Sequence, residues 1–335
     1  MLIQAKSPCR VDLAGGTMDI WPLYLFHENA VTVNFAVDRY TTCQLRTRDD
    51  AKIVLRSADQ KGEEVFEDLA SLVAAKKYNL PLLAHIVRFF RPAVGIELST
   101  NSEAPAGAGI SGSSSLLISI ASALNKLNGT GYNLERIREI AQNVEAQIIR
   151  VPTGSQDYYP AMYGGVGAID LTAAGILHSH LPVDLEDFNR RIVLVYSGKP
   201  RNSGINNWEV MKAHIDGDKG VHRNFQRIAE IAHALRASIA SADWTGAERL
   251  VREEWAHRRK NAPGITTDFI DTLIAAAKRA GSKAAKVCGA GGGGCVFFLV
   301  APGAKQRVQQ TLSDIGAEVL DVGVAPKGVH VKVSR

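Results

Sequence analysis

The sequence has few cysteines, a small excess of one charge and no long apolar run. Its 335 residues include four cysteines with no CxxC pair, which indicates neither a disulfide framework nor a zinc site. The 39 basic and 34 acidic residues leave a net charge of +5, which is compatible with an anionic ligand but does not indicate nucleic-acid binding. No apolar stretch approaches the ~20 residues of a membrane span, and the first residues lack the order of a secretory signal. We therefore expect a soluble, cytoplasmic protein with neither a nucleic-acid nor a membrane partner.

Histidine and the basic residues show no recognisable metal or polyanion motif. The nine histidines contain no HExxH motif, so we assign no metal to them. The densest basic stretch, residues 257–260, continues a helical pattern. We expect this stretch to be a solvated helix face.

Length and hydrophobic periodicity predict two packed domains. The chain is about twice the ~150 residues that serve as a prior for one domain. A boundary is predicted near residue 187, which gives domains 1–187 and 188–335. β-branched or alternating runs predict strands at residues 30–37, 52–55, 95–100, 191–196, 295–300 and 328–333. Apolar residues at helical spacing predict helices at residues 116–127, 134–149, 205–257 and 267–280.

The 30 glycines concentrate in three short clusters, each beside an apolar run. The clusters are Gly15-Gly16, then Gly107, Gly109 and Gly112, then Gly289 with residues 291–294. Glycine accepts positive φ and lets a ligand approach the backbone closely. Three such clusters predict ligand loops that converge from distant parts of the chain.

The middle cluster, residues 105–115, joins a predicted strand to a predicted helix. Free N–H groups at a helix start favour an anion, and serine hydroxyls can add contacts to a phosphate or its magnesium. The glycines spell G-x-G-x-x-G, but a second helix follows instead of the strand that a dinucleotide site requires. No G-K-[ST] is present, so the loop is not a P-loop. A purely structural helix cap is the alternative.

Taken together, residues 7–19, 105–115 and 286–295 resemble the three signature motifs of the GHMP small-molecule kinases. Their order and separation match the family over nearly the whole chain. The resemblance implies an α+β, two-domain fold, with an N-terminal domain like ribosomal protein S5 domain 2 and a ferredoxin-like C-terminal domain. It also implies ATP and Mg²⁺ as cofactors.

Two further stretches resemble the sugar-kinase branch of this family. They are residues 153–157 with 163–165, and the residues that follow Trp255. This resemblance implies phosphorylation of a sugar or sugar phosphate, first of all the anomeric hydroxyl of D-glycero-D-manno-heptose 7-phosphate. Thr17-Met18 and Tyr158 depart from the family pattern near the expected sugar. Galactose, fucose or mevalonate as acceptor, or a non-catalytic sensor of sugar and nucleotide, therefore stay open.

The resemblance also implies roles for individual residues. Asp157 would be the catalytic base and Arg10 its cationic partner. Ser113 and Glu145 would hold magnesium, which prefers oxygen ligands. The alternatives are a turn-forming role for Asp157 and a solvated helix face for Glu145.

The remaining residues implied by the resemblance surround the two substrates. The ATP phosphates would be bound by Pro105, Gly107, Ala108, Gly109, Ser111, Gly112, Ser113 and Ser114. The sugar would be bound by Thr17, Asp19, Tyr158, Gly291, Gly292 and Arg201.

Overall fold

Two β-sheets and the helices packed on them make up the fold. The computed structural model describes residues 1–200 and 203–334, with the backbone alone at 203–206. The strands are β1 (Leu2–Ala14), β2 (Val31–Thr47), β3 (Ile53–Ser57), β4 (Gly62–Phe66), β5 (Ile96–Ser102), β6 (Val166–Thr172), β7 (Gly175–His180), β8 (Ile192–Tyr196), β9 (Ser282–Val287), β10 (Cys295–Val300), β11 (Glu318–Leu320) and β12 (His330–Ser334). The helices are α1 (Leu69–Ala74), α2 (Pro81–Phe90), α3 (Gly112–Asn128), α4 (Leu134–Ile149), α5 (Tyr159–Tyr163), α6 (Leu185–Arg191), α7 (Ser203–Ile215), α8 (Lys219–Ala240), α9 (Trp244–Arg258), α10 (Asp268–Ala280) and α11 (Lys305–Asp314), with short 3-10 helices at Leu23–Phe26 and Pro302–Ala304.

The larger sheet has the order β12-β1-β2-β5-β3-β4, and β6 with β7 extends it from the first half of β2. All neighbouring pairs are antiparallel except β3 with β5. Helix α3 packs on β1 and β2 and is buried on nearly all sides. Small side chains allow this close packing, since the hydroxyl of Ser115 donates to the carbonyl of Ser7 at 3.1 Å and that of Ser119 to the hydroxyl of Ser7 at 2.9 Å.

The smaller sheet, β11-β8-β10-β9, is antiparallel throughout and is buried on both faces. One face, which includes Phe298, packs in a core with residues of α10 and α11. The other face, which includes Phe297, packs against the larger sheet, and the Phe297 ring lies 5.9 Å from that of Phe35. Burial on both faces explains why β10 reads as a continuous apolar run.

The structure confirms each strand and helix predicted from periodicity, within four residues at the ends, except that β2 continues ten residues beyond the predicted end at residue 37. The pattern at 205–257 is divided into α7, α8 and α9. Strand β1 was not predicted, because every residue from Ser7 to Ala14 is buried, including the charged Arg10 and Asp12. A strand buried on both faces shows no polar–apolar alternation.

The predicted boundary near residue 187 falls within α6, between the two sheets. All four strands of the smaller sheet follow it, but the C-terminal β12 returns to pair with β1. The placement of the boundary stays a prediction. No helix among the described residues is both long and apolar enough to cross a bilayer.

Candidate active site

A cavity of about 690 Å³ is lined by residues from the three glycine clusters and from the segment around Asp157. Such a volume is within the usual range for a small-molecule site. Its walls come from β1, the loop before α3, the loop after α4 and the turn after β9. The lining includes Arg10, Asp12, Gly16, Thr17, Asp19, Pro105, Gly107, Ala108, Gly109, Ser111, Gly112, Ser113, Glu145, Gly154, Gln156, Asp157, Arg258, Gly289 and Ala290.

The loop before α3 has the backbone of an anion-binding loop. Gly107, Gly109 and Ser111 have positive φ angles of 66°, 77° and 60°. The first N–H groups of a helix have no partner inside the helix, and here they belong to residues 112–114. The buried Ser111 hydroxyl has no hydrogen-bond partner among the described residues. Unpaired donors and a free hydroxyl at the positive end of a helix fit a phosphate group.

The third glycine cluster, Gly289 with residues 291–294, packs against the loop before α3. The amide of Cys295 donates to the carbonyl of Ala108 at 2.6 Å, and a Cβ on Gly294 would lie 2.6 Å from the same oxygen. Gly291 and Gly292, which we expected at the sugar, do not line the cavity. Gly291 instead packs against the backbone of Ile265, whose carbonyl accepts the Gly292 amide at 2.9 Å.

Arg10 joins the first motif to the other parts of the site. Its Nε and Nη2 donate to Oδ1 of Asp157 at 3.0 and 2.5 Å, and its Nη1 donates to the Gly109 carbonyl at 3.2 Å. Arg10 is 2% exposed, so it is not a surface residue of an edge strand. Oδ2 of Asp157 accepts no hydrogen bond from the described residues and is left for a ligand.

Asp19 lies beside this pair and is also buried. Its carboxylate accepts the Gln156 amide at 2.8 Å. Burial, and then the neighbouring charge of Asp157, raise the pKa of Asp19 to about 7. A Cβ on Gly154 would lie 2.0 Å from the Asp19 carboxylate, so this close approach requires glycine. The buried Oε1 of Gln156 has no partner among the described residues, and its place in the lining adds an acceptor that the sequence did not single out.

Glu145 is buried on α4 and faces the start of α3. Its carboxylate accepts hydrogen bonds from the hydroxyls of Ser113, Ser114 (2.9 Å) and Tyr158. Burial raises the pKa of Glu145, because these three neutral donors offset only part of the desolvation. No cation pairs with Glu145 among the residues described. A buried carboxylate grouped with hydroxyl oxygens fits a hard divalent cation.

Two of the residues expected at the sugar need separate comment. Tyr158 is completely buried and does not line the cavity, since its hydroxyl donates to Glu145. It therefore lies on the Glu145 side of the site, away from the sugar position that we predicted for it. Arg201 lies outside the described residues.

A buried network of charges lies directly behind Arg10. Asp12 is 3.4 Å from Arg10 and 2.7 Å from Lys286, and Glu254 is 3.1 Å from Lys286 and 2.6 Å from Arg258. All of these side chains are at most 4% exposed. Burial alone would raise the pKa of Asp12, but Lys286, Arg10 and Arg258 hold it well below its ordinary value.

Arg258 departs from the prediction that residues 257–260 form a solvated face, whereas Arg259 and Lys260 are exposed as predicted. Arg258 is buried and donates to the carbonyl of Gly16 at 2.8 Å and to the Thr17 hydroxyl at 3.4 Å. Arg258, on α9, therefore stabilises the turn that contains Gly16 and Thr17. The signal was present in the sequence, because Glu254 and Arg258 continue the apolar face of Leu250 and Val251 at helical spacing.

Two family descriptions match the chain. The GHMP kinases N-terminal domain matches residues 74–165, and the GHMP kinases C-terminal domain matches residues 231–318. Together they cover more than half of the sequence. The chain belongs to the GHMP kinase family.

Individual relatives are similar over the full length. The D-glycero-alpha-D-manno-heptose 7-phosphate kinase of Campylobacter jejuni is 24% identical over 98% of both chains. The structure of a D-glycero-D-manno-heptose 1-phosphate kinase from Bacteroides thetaiotaomicron aligns with a TM-score of 0.79 at 19% identity, over 99% of both chains. Galactokinase from Lactococcus lactis, complexed with galactose, aligns with a TM-score of 0.80 at 22% identity, over 98% of this chain and 95% of the other. These likenesses confirm the two-domain GHMP kinase fold predicted from the sequence.

Proposed function

We propose that this protein is an ATP-dependent sugar kinase that phosphorylates the anomeric hydroxyl of D-glycero-D-manno-heptose 7-phosphate. The observation that carries the proposal is the Arg10–Asp157 pair, which lies in one cavity with the phosphate-type loop before α3. The heptose kinase among the full-length relatives supports this choice of acceptor.

In the proposed reaction, the sugar hydroxyl attacks the γ-phosphorus of ATP, the bond to the bridging oxygen breaks, and ADP leaves. The proton of the hydroxyl passes to Oδ2 of Asp157. Arg10 holds Oδ1 with two hydrogen bonds, which orients the carboxylate and keeps Oδ2 directed to the acceptor. The free N–H groups at the start of α3 bind the phosphates.

Magnesium fits the oxygen donors that Ser113 and Glu145 present together. When bound there, it would neutralise charge on the β- and γ-phosphates. Ser114 and Tyr158 donate to the same carboxylate, so they position Glu145 for this role.

The sugar substrate would lie over Asp19, Gln156 and Thr17. The Asp19 carboxylate and the unpaired Oε1 of Gln156 are acceptors for sugar hydroxyls, and Thr17 adds a hydroxyl held by Arg258. The site would discriminate strongly against an analogue that lacks the matching hydroxyl, because the buried Oε1 of Gln156 would then be left unpaired.

A substrate panel tests the proposal. With ATP and Mg²⁺, heptose 7-phosphate should release ADP faster than galactose, fucose or mevalonate at equal concentration. The product should show coupling between phosphorus and the anomeric proton by NMR. Turnover of mevalonate with every sugar inert would contradict the sugar-kinase proposal, and nucleotide binding without turnover of any acceptor would favour a sensor.

Glu145→Gln should raise the Mg²⁺ concentration needed for half-maximal activity by about tenfold or more, since changes around a metal commonly cost 10–100-fold in affinity. The KM for the sugar should change only a few-fold. Glu139→Gln is the matched control, because Glu139 is an exposed carboxylate on the same helix, α4. Equal Mg²⁺ titration curves for both variants would contradict the metal assignment.

A further inference from the structure

Three histidines that are distant in sequence meet away from the proposed active site. They are His27, just after the 3-10 helix Leu23–Phe26, His214 in α7 and His222 in α8. One ring nitrogen of each lies within 4.8 Å of the others, and the Nε2 atoms of His27 and His214 are 2.8 Å apart. Tetrahedral zinc with Zn–N bonds of about 2.05 Å requires nitrogens roughly 3.3 Å apart. Small side-chain shifts would reach this geometry.

A chain of hydrogen bonds orients the first of these rings. The amide nitrogen of Gln226 donates to Glu230 at 3.4 Å, which leaves the amide oxygen directed to Nδ1 of His27 at 3.1 Å. Nδ1 therefore carries the proton, and the lone pair of Nε2 points into the histidine cluster. Metal-binding histidines commonly donate their second N–H in this way.

Two of the three rings are buried. His27 and His214 are 6% and 4% exposed. Nδ1 of His214 is buried and has no hydrogen-bond partner among the residues that the structure describes. A buried pair of imidazoles with an unpaired nitrogen is polar but incompletely satisfied.

We propose that His27, His214 and His222 bind a zinc ion, with water as the fourth ligand. Three imidazoles suit zinc and other late first-row metals, whereas magnesium and calcium require oxygen ligands. The site is therefore chemically distinct from the Ser113–Glu145 pair. Since His222 is exposed, the ion can enter from solvent.

A bound zinc ion would fasten three segments together. His27 lies in the segment between β1 and β2, which also contains Asp19, a residue that lines the large cavity. Asn207 of α7 lines the same cavity. The ion would thus tie one wall of the acceptor site to the α7–α8 pair. This role is structural and independent of the phosphoryl transfer step.

Zinc binding can be measured directly on the purified, tag-free chain. Titration calorimetry with Zn²⁺ should give one saturable site, and Co²⁺ should give the intense visible bands of tetrahedral coordination. His222→Gln removes an exposed ligand with little risk to folding and should weaken binding by more than about 100-fold. Gln226→Met should weaken it by about 10–100-fold. His233→Gln changes an exposed histidine of the same helix and should bind as the wild type does.

A competition experiment separates this site from the one proposed for magnesium. Millimolar Mg²⁺ should not displace the ion, and Glu145→Gln should bind zinc normally. Absence of saturable binding, or equal binding by His222→Gln and the wild type, would overturn the proposal. Displacement by Mg²⁺ would overturn it as well. None of these measurements depends on kinase activity, so the two proposals can fail separately.

Discussion

Asp157→Asn should lower kcat by about 10²–10⁴-fold, because a positioned base contributes a factor of this size to proton transfer. This corresponds to roughly 3–5 kcal/mol of transition-state stabilisation. Asparagine keeps the shape of the side chain but cannot accept the proton at Oδ2. The KM for ATP should change only a few-fold, since the loop before α3 and Glu145 are unaltered. Steady-state kinetics with heptose 7-phosphate measures both constants.

Asp170→Asn is the matched control for this variant. Asp170 also pairs with an arginine, Arg236, at 2.7 Å and is similarly exposed, but it lies outside the large cavity. Its kcat should stay close to that of the wild type. Near-native kcat in Asp157→Asn would show that the base is another group. Asp19 would then be examined next, because its pKa of about 7 suits proton transfer near neutral pH.

The sequence allowed prediction of those parts of the site that lie in local motifs. The glycine loop before α3 is contiguous, and its spacing alone indicates an anion site at a helix start. Asp157, Arg10 and Glu145 followed from resemblance, and the fold brings each of them to the cavity. Periodicity predicted part of the secondary structure, namely strands β2, β3, β5, β8, β10 and β12 and helices α3, α4 and α7 to α10.

Contacts between distant segments could not be predicted in this way. Lys286 is the buried one of two lysines in β9, and no local pattern indicates that Asp12 and Glu254 will neutralise it. Tyr158 adjoins the proposed base in sequence, but its ring points into the core towards Glu145. The partner of a buried polar group is set by tertiary packing, and packing is not encoded in the neighbours of one residue.

Lys286→Met should lower the free energy of unfolding by about 3–5 kcal/mol, the usual cost of removing one partner from a buried ion pair. Methionine fills a similar volume, so the loss arises from the uncompensated carboxylates of Asp12 and Glu254. Urea unfolding followed by circular dichroism measures the change. Lys283→Met, on the exposed side of the same strand, should shift stability by no more than about 0.5 kcal/mol.

A double variant tests whether the network acts as a unit. Arg10, Arg258 and Lys286 balance Asp12, Glu254 and Asp157, so Lys286→Met leaves one excess negative charge. Adding Glu254→Gln removes that excess, and the double variant should be more stable than the sum of the two single losses predicts. Strictly additive losses would mean that these side chains contribute independently. Coupling would mean that Lys286 and Glu254 stabilise the fold as one unit, to which Asp12 connects Arg10 and the proposed active site, because Asp12 contacts both Lys286 and the arginine that holds Asp157.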